Sequence, residues 1–473
     1  MKYISTRGQA PELGFCDAVM AGLAQDGGLY LPKNWPRFDK WQISRFANKP
    51  YTHTAYEVIS PFVDGEIEET VLREMIEQAY ACFPHPSVAP IIELEPGHFV
   101  LELFHGPTLA FKDVAMQLLA RIVDHILAER AQRATIIGAT SGDTGSAAIE
   151  AFRNRANIDI FILHPHGRVS DVQRRQMTTV LDKNVHNIAL KGSFDDCQKL
   201  VKDMFTNIDF RRSLNLTGVN SINWGRIVAQ IVYYFTASVA IGTPHRPVNF
   251  TVPTGNFGDI FAGYAARQMG LNINRLVIAT NSNDILYRAI SDGNYRISGV
   301  VPTQSPSMDI QISSNFERLL FEAGNRDCAA IRAKMYSLAN LGGFDLDKDT
   351  MSYIAKIFAV GTSSENETFK AIKSTYEQSG YLLDPHSAVG VHVARNMVAD
   401  FNAGEFAENG EIPMITLATA HPAKFPVAVE SASSVFPSLP PRLADIHDRE
   451  EKCELLANDP QIIQEFIRRQ TSA

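Results

Sequence analysis

The chain has 473 residues, of which 45% are apolar and 20% are charged, and its formal net charge is -8. This composition supports a large core divided between two or more lobes, and the acidic balance argues against nucleic-acid and anionic-membrane partners. The five cysteines form no CxxC pair, so neither a disulfide framework nor a zinc site is indicated. Because the chain shows neither an apolar leader nor an apolar run long enough to span a bilayer, we expect a cytoplasmic protein that binds a small molecule.

An N-terminal module is predicted to occupy residues 1–95. Prolines interrupt this region repeatedly, and its helical pattern lies in residues 66–81. A polar, partly helical tail is predicted for residues 436–473. Residues 96–435 then form the central part of the protein.

The central part begins with short apolar runs that alternate with amphipathic segments. Runs typical of strands lie at 98–105, 134–139 and 158–164, and helical patterns lie at 114–130 and 146–154. Such alternation is typical of βαβ units, in which helices cover both faces of a parallel sheet. The sequence therefore predicts an α/β fold.

The same pattern returns later in the chain. Strands are predicted at 248–253 and 275–280, with a helix at 259–268 between them. A mainly helical stretch is predicted from there to about residue 380.

The segment 103–113 joins the end of a predicted strand to the start of a helix, and it contains Lys112. Ligands bind at such strand ends in open α/β sheets. A lysine in the first turn of a helix lies at the positive end of the helix dipole, which disfavours the protonated amine and favours a nucleophilic one. The apolar neighbours Ala110, Phe111 and Val114 leave this amine little water, whereas most lysines are solvated surface charges.

A second loop, residues 140–146, also lies between a predicted strand and a helix. Its small residues allow a ligand to approach the backbone, and its hydroxyls and free N–H groups suit a carboxylate or a phosphate. A tight turn followed by an N-cap would explain the same residues. The loop matches neither the Walker A pattern nor GxGxxG, which argues against a nucleotide. Its candidate ligand-binding residues are Ser141, Asp143 and Thr144.

A third loop, residues 253–259, follows a predicted strand and opens another helix. A glycine-rich loop at a helix N-terminus can cradle a phosphate. A structural turn would require only one glycine, and this loop contains both Gly255 and Gly258. Phosphate binding and a purely structural turn are equally compatible with these residues.

These loops occur in an order that resembles the threonine synthase family of bacteria and fungi. The resemblance covers nearly the whole chain, because residues 3–8 and 26–30 are also similar to the N-terminal module of that family. The central motifs that carry it are residues 104–113, 141–145, 220–224, 255–259 and 418–422.

The resemblance implies the fold-type II architecture of pyridoxal-phosphate enzymes, similar to the β subunit of tryptophan synthase, with two α/β lobes and the cofactor between them. Residues 96–435 would be the two-lobed catalytic region. Lys112 would hold pyridoxal 5'-phosphate as a Schiff base, and Asp143 would face the ring hydroxyl or the substrate carboxylate, where relatives often carry Asn. Thr419 would be a neutral partner of the pyridine nitrogen, which leaves the ring a milder electron sink. The phosphate cradle would consist of Gly255, Asn256, Phe257, Gly258 and Asp259.

The implied reaction is that of a carbon-oxygen lyase in the last step of threonine biosynthesis. O-phospho-L-homoserine and water would give L-threonine and phosphate by β,γ-elimination followed by addition of water at Cβ, with Lys112 moving the Cα and Cβ protons. The phosphate of the substrate requires a second anion site, for which donors after strand-like segments are candidates. The predicted substrate-binding residues are Ser141, Thr144, Arg168, Ser170, Asn223 and Arg226.

Other interpretations stay open from the sequence. Each arginine could be a surface charge or part of an ion pair between lobes, and Asp171 stands next to Ser170 where many relatives are expected to have an uncharged residue. The histidines lack zinc-ligand spacing, so no metal is expected. The alternative functions are a fold-type II dehydratase or phospholyase that acts on a hydroxy- or phospho-amino acid, and a non-catalytic protein that binds pyridoxal phosphate. We expect a monomer or a homodimer.

Overall fold

The computed structural model describes residues 1–402 and 412–471. The strands are β1 Tyr3–Ser5, β2 Tyr30–Pro32, β3 Ile91–Glu95, β4 His98–Glu102, β5 Ala134–Ala139, β6 Ile158–Pro165, β7 Val185–Lys191, β8 Leu216–Thr217, β9 Val248–Pro253, β10 Ile273–Thr280, β11 Asn294–Arg296, β12 Gly343–Asp345, β13 Phe358–Thr362, β14 Met414–Ala418 and β15 Glu454–Ala457. The helices are α1 Phe15–Ala21, α2 Lys40–Ser44, α3 Tyr51–Val63, α4 Glu69–Tyr80, α5 Lys112–Glu129, α6 Asp143–Phe152, α7 Asp171–Thr178, α8 Phe194–Thr206, α9 Ile208–Ser213, α10 Trp224–Ala240, α11 Gly258–Gln268, α12 Ile285–Asp292, α13 Phe316–Ala323, α14 Cys328–Leu341, α15 Lys348–Ala355, α16 Glu365–Ser379, α17 Pro385–Asn402, α18 Pro426–Ser433 and α19 Pro460–Gln470.

One lobe is built on a six-stranded sheet in the order β13-β10-β9-β14-β4-β3. All neighbouring strands in it are parallel except β3, which pairs antiparallel with β4. Strands β4 and β14 end side by side, because Glu102 is paired with Ala418. The segments that follow these two strands therefore start at the same edge of the sheet.

The other lobe is built on a parallel sheet in the order β15-β7-β6-β5-β8. Every residue of β6 is buried, as expected for a strand that helices cover on both faces. The predicted two-lobed α/β fold is thus confirmed.

Most predicted elements of the central part lie where the sequence placed them. Strands 134–139 and 248–253 have the predicted limits, and the helix predicted at 259–268 begins one residue earlier. The prediction of a mainly helical stretch to residue 380 missed β13, the edge strand of the six-stranded sheet. This strand has five residues, and so short an apolar run cannot be distinguished by periodicity from part of a buried helix.

The N-terminal and C-terminal parts both join the lobes. Strand β3 lies within the predicted module of residues 1–95 yet pairs with β4. The tail is partly helical, as predicted, but it also adds β15 to the second sheet, which the sequence did not predict. The predicted limits at residues 95 and 435 stay predictions, and residues 403–411 and 472–473 of the predicted regions lie outside the described residues. Over the described part of the chain, none of the helices is both long and apolar enough to cross a membrane.

Candidate active site

Four loops meet where the two lobes face each other. Each follows a strand: residues 103–111 follow β4, 140–142 follow β5, 254–257 follow β9 and 419–421 follow β14. The carboxyl ends of parallel strands form the ligand-binding edge of open α/β sheets. Three of the four loops lead directly into a helix, so the N-termini of α5, α6 and α11 point toward the same region.

The first loop fixes Lys112 as the first residue of α5. Asp113 accepts hydrogen bonds from the backbone N–H of Thr108 at 2.8 Å and from its hydroxyl at 2.7 Å. A side chain at Gly106 would collide with Asp113, since its Cβ would lie 2.4 Å away. Leu109 has a left-handed backbone with φ of 63°, a strained conformation that persists only where the surroundings enforce it.

The amine of Lys112 lies in a nearly closed environment. The residue is 8% exposed, and its Nζ lies 3.3 Å from Asp143 Oδ2 and 3.5 Å from Ser307 Oγ. Burial lowers the pKa of Lys112, Asp143 raises it, and the nearby cations of Lys424 and Arg226 lower it further, so the net direction is downward. A larger share of this amine is therefore neutral at physiological pH than for a surface lysine.

The second loop places Asp143 at the start of α6. The hydroxyl of Thr140 accepts the N–H groups of Gly142 and Gly145 and thereby closes the turn. Gly142 has φ of 148° and contacts the amide of Gln173, which a side chain at this position would displace. The loop forms the tight turn that its sequence suggested. This turn places the buried carboxylate of Asp143 beside the amine of Lys112.

Asp143 is surrounded by donors. Its Oδ1 accepts from Lys424 Nζ at 2.8 Å and from Gln173 Nε2 at 2.8 Å, and its Oδ2 faces Lys112 and the hydroxyl of Ser307 at 3.3 Å. Burial alone would raise the pKa of Asp143, but Lys424 and Lys112 together bring it well below its usual range. Asp143 is thus a permanent carboxylate between two lysines.

The third loop forms a cradle of backbone groups at the start of α11. The carbonyl of Gly255 accepts from the hydroxyl of Ser313, and the carbonyl of Asn256 accepts from the side chain of Asn315. A Cβ at Gly255 would lie 2.8 Å from the carbonyl oxygen of Ser307, so a side chain would fill the cradle. Phe257 is left-handed, with φ of 64°, and the helix that follows begins with N–H groups that lack intrahelical partners.

The side chain of Asp259 points away from this cradle. It accepts hydrogen bonds from the hydroxyls of Tyr233 and Tyr234 on α10. Its contribution to an anion site is therefore limited to the backbone N–H at the helix start.

The fourth loop holds Thr419 next to the Lys112 loop. The carbonyl of Thr419 accepts the N–H of Phe111 at 2.8 Å, and its own N–H donates to Ser387 Oγ at 3.1 Å. Ser387 in turn donates to the buried Asp384. The threonine is 6% exposed, so it presents a neutral group in a nearly closed pocket.

Of the predicted substrate-phosphate residues, Arg226 lies nearest to the site. It is buried, its guanidinium donates only to the carbonyl of Val219, and its Nε is buried without a hydrogen-bond partner among the described residues. Burial lowers the pKa of Arg226 to about 10, which leaves it charged at neutral pH. An unpaired buried cation of this kind suits an anionic ligand.

The other predicted residues have different surroundings. Asn223 caps α10 and donates to the carbonyl of Val19 at 2.8 Å, while Ser170 caps α7 and contacts Gln173. Arg168 and Ser141 are exposed, and Thr144 is half-buried on the first turn of α6.

Several residues of the site were not predicted as such. Gln173, Ser307 and Lys424 contact Asp143, and His386 accepts the N–H of Ser307 through Nε2. Lys424 follows the motif 418–422 by two residues, so proximity to that motif was the only local signal. Gln173 lies in the same segment as the predicted Arg168 and Ser170, whereas Ser307 comes from a segment with no ligand-binding pattern.

These features fit pyridoxal phosphate: a buried lysine of lowered pKa, an anion cradle at a helix start that a Cβ would fill, and a neutral Thr419 opposite. A family model described as pyridoxal-phosphate dependent enzyme matches residues 84–335. Fold and site therefore define an enzyme of the pyridoxal-phosphate dependent class. The models for the threonine synthase N terminus and C-terminal region match residues 2–80 and 387–467. The chain belongs to the threonine synthase family.

Relatives support this assignment along the whole chain. A threonine synthase of Pseudomonas aeruginosa is 51% identical over 468 residues, which is 99% of this chain and 98% of the relative. A crystal structure described as threonine synthase with bound pyridoxal phosphate, from Brucella melitensis, is 56% identical and covers 100% of both chains with a TM-score of 0.96. The yeast threonine synthase structure is 38% identical and covers 99% of this chain and 98% of its own, with a TM-score of 0.93.

Proposed function

We propose that this protein is a carbon-oxygen lyase that converts O-phospho-L-homoserine and water to L-threonine and inorganic phosphate. The observation that carries the proposal is the buried amine of Lys112 beside Asp143, at the junction of four strand-end loops. Pyridoxal phosphate, when bound, supplies an electron sink that stabilises the carbanions this reaction requires. The residues of the chain itself bind and orient the substrate, and they move the protons.

Lys112 would hold the cofactor covalently and would move protons at Cα and Cβ of the substrate. Both tasks require an amine that is neutral for part of the cycle, and its lowered pKa supports that role. The closed surroundings also exclude bulk water, so that protons pass between the amine and the substrate.

The remaining cofactor contacts are divided among three loops. The backbone of Gly255, Asn256, Phe257, Gly258 and Asp259 holds the phosphate at the start of α11. Asp143 would interact with the ring hydroxyl or the substrate carboxylate, and Thr419 would be an uncharged partner of the pyridine nitrogen.

The substrate contributes a carboxylate and a phosphate. Ser141 and Thr144, at the start of α6, would donate to the carboxylate, and the free N–H groups of a helix start support this role. Arg226 is the main phosphate ligand, since its buried Nε has no hydrogen-bond partner among the described residues. Arg168, Ser170 and Asn223 complete the proposed set, although Ser170 and Asn223 also cap helices. A cytoplasmic location and a monomeric or homodimeric state remain part of this proposal.

The proposal is tested by incubating the purified protein with pyridoxal phosphate and O-phospho-L-homoserine and measuring phosphate and threonine together. We expect equal amounts of both products, and a loss of at least about a thousandfold for Lys112→Ala. Lys334→Ala is the matched control, because Lys334 pairs with Asp347 instead of a residue of the site.

The same assay distinguishes the alternatives. Release of 2-oxobutyrate and ammonia in place of threonine would contradict the proposal and assign a dehydratase or phospholyase. Cofactor bound through Lys112 without turnover of either kind would indicate a non-catalytic binding protein.

A further inference from the structure

Lys424 is a second lysine at the site, and the reaction as proposed gives it no task. Its side chain is 0% exposed. Its Nζ donates to Asp143 Oδ1 at 2.8 Å and to the carbonyl of Thr108 at 2.7 Å. A fully buried ammonium is costly unless it is paired and hydrogen-bonded, and here both conditions are met.

We infer that Lys424 is a positioning residue that acts on Lys112 through Asp143. Lys424 holds one oxygen of Asp143, which turns the other oxygen toward Lys112. It also shares the negative charge of Asp143, so that this carboxylate does not hold Lys112 as a fixed ammonium. The inference rests on the proposed role of Lys112 as the nucleophilic amine.

The charges around Lys112 explain why a second cation, that of Lys424, is required to keep the pKa of Lys112 low. In a buried one-to-one pair, the carboxylate of Asp143 would stabilise the charged form of Lys112 and raise its pKa. The cation of Lys424 opposes this effect, and it also keeps Asp143 ionised. The charged groups that face Lys112 are Asp143, Lys424, Arg226 and Asp259, and His386 lies next to Asp143.

The second hydrogen bond of Lys424 links Asp143 to the loop that carries Lys112. Thr108 lies four residues before Lys112, and its carbonyl accepts from both Lys424 and Gln176 of α7. Lys424 thus connects the segment after β14 with both loops that form the Lys112–Asp143 contact. A neutral side chain of similar length would retain the packing but not this charge.

The test measures the amine of Lys112 directly in the protein without cofactor. Formaldehyde with cyanoborohydride methylates neutral amines, and peptide mass spectrometry gives the rate at Lys112 as a function of pH. In Lys424→Met we expect the midpoint of this profile to rise by about 1 pH unit or more, which corresponds to roughly tenfold slower labelling at neutral pH.

A double-variant cycle separates an effect through Asp143 from a general disturbance. In an Asp143→Asn background, the fully buried Lys424 loses the counter-ion that keeps it an ammonium, so Lys424→Met then removes little charge and is expected to move the midpoint by less than half as much. An unchanged midpoint in Lys424→Met, or equal shifts in both backgrounds, would overturn the inference. Lys334→Met is the matched control and should leave the profile of Lys112 unchanged.

Separate controls distinguish a failure of folding, a failure of the proposed function and a failure of the role of Lys424. If Lys424→Met does not fold, Lys424→Gln carries the same test, because its amide can still donate hydrogen bonds without a charge. The labelling involves neither cofactor nor substrate. A protein that shows the expected shift but makes no threonine would therefore contradict the proposed function alone, and an active enzyme without the shift would contradict the role of Lys424 alone.

Discussion

Asp143 and Asp259 are both buried aspartates at helix starts, but the net shifts of their pKa values have opposite directions. Asp143 has two lysines as partners, which bring its pKa well below the usual range. Among the described residues, the side chain of Asp259 accepts hydrogen bonds from the hydroxyls of Tyr233 and Tyr234, and burial raises its pKa to about 6. The difference arises because hydrogen bonds from neutral groups offset less of the desolvation cost than a paired cation does.

This raised pKa predicts a pH-dependent effect of Asp259→Asn on stability. A folded-state pKa above the unfolded value means that the contribution of Asp259 to stability is fully present below about pH 4 and is lost as the pH rises through about pH 6. Asparagine cannot ionise and still accepts from the tyrosines. Relative to the natural chain, the variant should gain about 3 kcal/mol between about pH 4 and pH 7, measured by urea unfolding without cofactor.

The matched control is Asp345→Asn. Asp345 is 66% exposed and pairs with Arg296 at the surface. Its effect on stability should vary little over the same pH range. Parallel pH curves for Asp259→Asn and the natural chain would show that the pKa of Asp259 is the same in the folded and unfolded states, which would contradict the prediction.

At the scale of elements, the C-terminal helix α19 illustrates how a polar segment becomes part of a core. Most of its residues are polar or charged. However, Ile463, Phe466 and Ile467 lie on one face of the helix at helical spacing, and all three are buried. They pack with Phe161 and Leu190 of the five-stranded sheet. Strand β15, just before the helix, covers the edge of β7 and leaves fewer unpaired backbone groups.

Adjacent isoleucines of α19 provide a paired test of this packing. Ile463 is 0% exposed and Ile462 is 44% exposed. Ile463→Ala should reduce the free energy of unfolding by about 2–4 kcal/mol, whereas Ile462→Ala should cost less than about 1 kcal/mol. Urea unfolding measures both. Equal losses would indicate that α19 is not docked as the structure shows.

At the scale of the whole molecule, a buried arginine is one of the contacts that join the N-terminal module to the catalytic region. Arg318 on α13 donates to the carbonyl of Tyr30 at 2.8 Å and to that of Ile222 at 2.7 Å. The side chain is fully buried, and Trp224 lies against it. Arg318 thus connects the module, the start of α10 and the segment that supports the phosphate cradle.

Arg318→Met should loosen this connection. Methionine fills much of the same space but leaves the carbonyls of Tyr30 and Ile222 unpaired, so we expect a loss of about 3 kcal/mol or more. Limited proteolysis should then cut within residues 1–95 sooner than elsewhere. Arg296→Met, at an exposed ion pair, should change neither stability nor the cleavage pattern.

Local sequence patterns were sufficient to predict part of the site. Alternating strand and helix patterns placed three loops at strand ends, and the first helical turn placed Lys112 where ligands bind. These features depend on residues close together in the chain, so their signals are local. That Asn223 caps α10 and donates to the carbonyl of Val19 was not predicted from the sequence.

Only the tertiary structure shows which charged side chains of the site lie in contact, such as Lys424 and Asp143. Lys424 and Thr108 are 316 residues apart and share a hydrogen bond, and no local pattern identifies such a pair. The buried, unpaired Nε of Arg226 and the raised pKa of Asp259 likewise follow from burial, which depends on what packs around a residue. Edge strands such as β13 are defined by the neighbour they pair with, and therefore only the folded chain specified them.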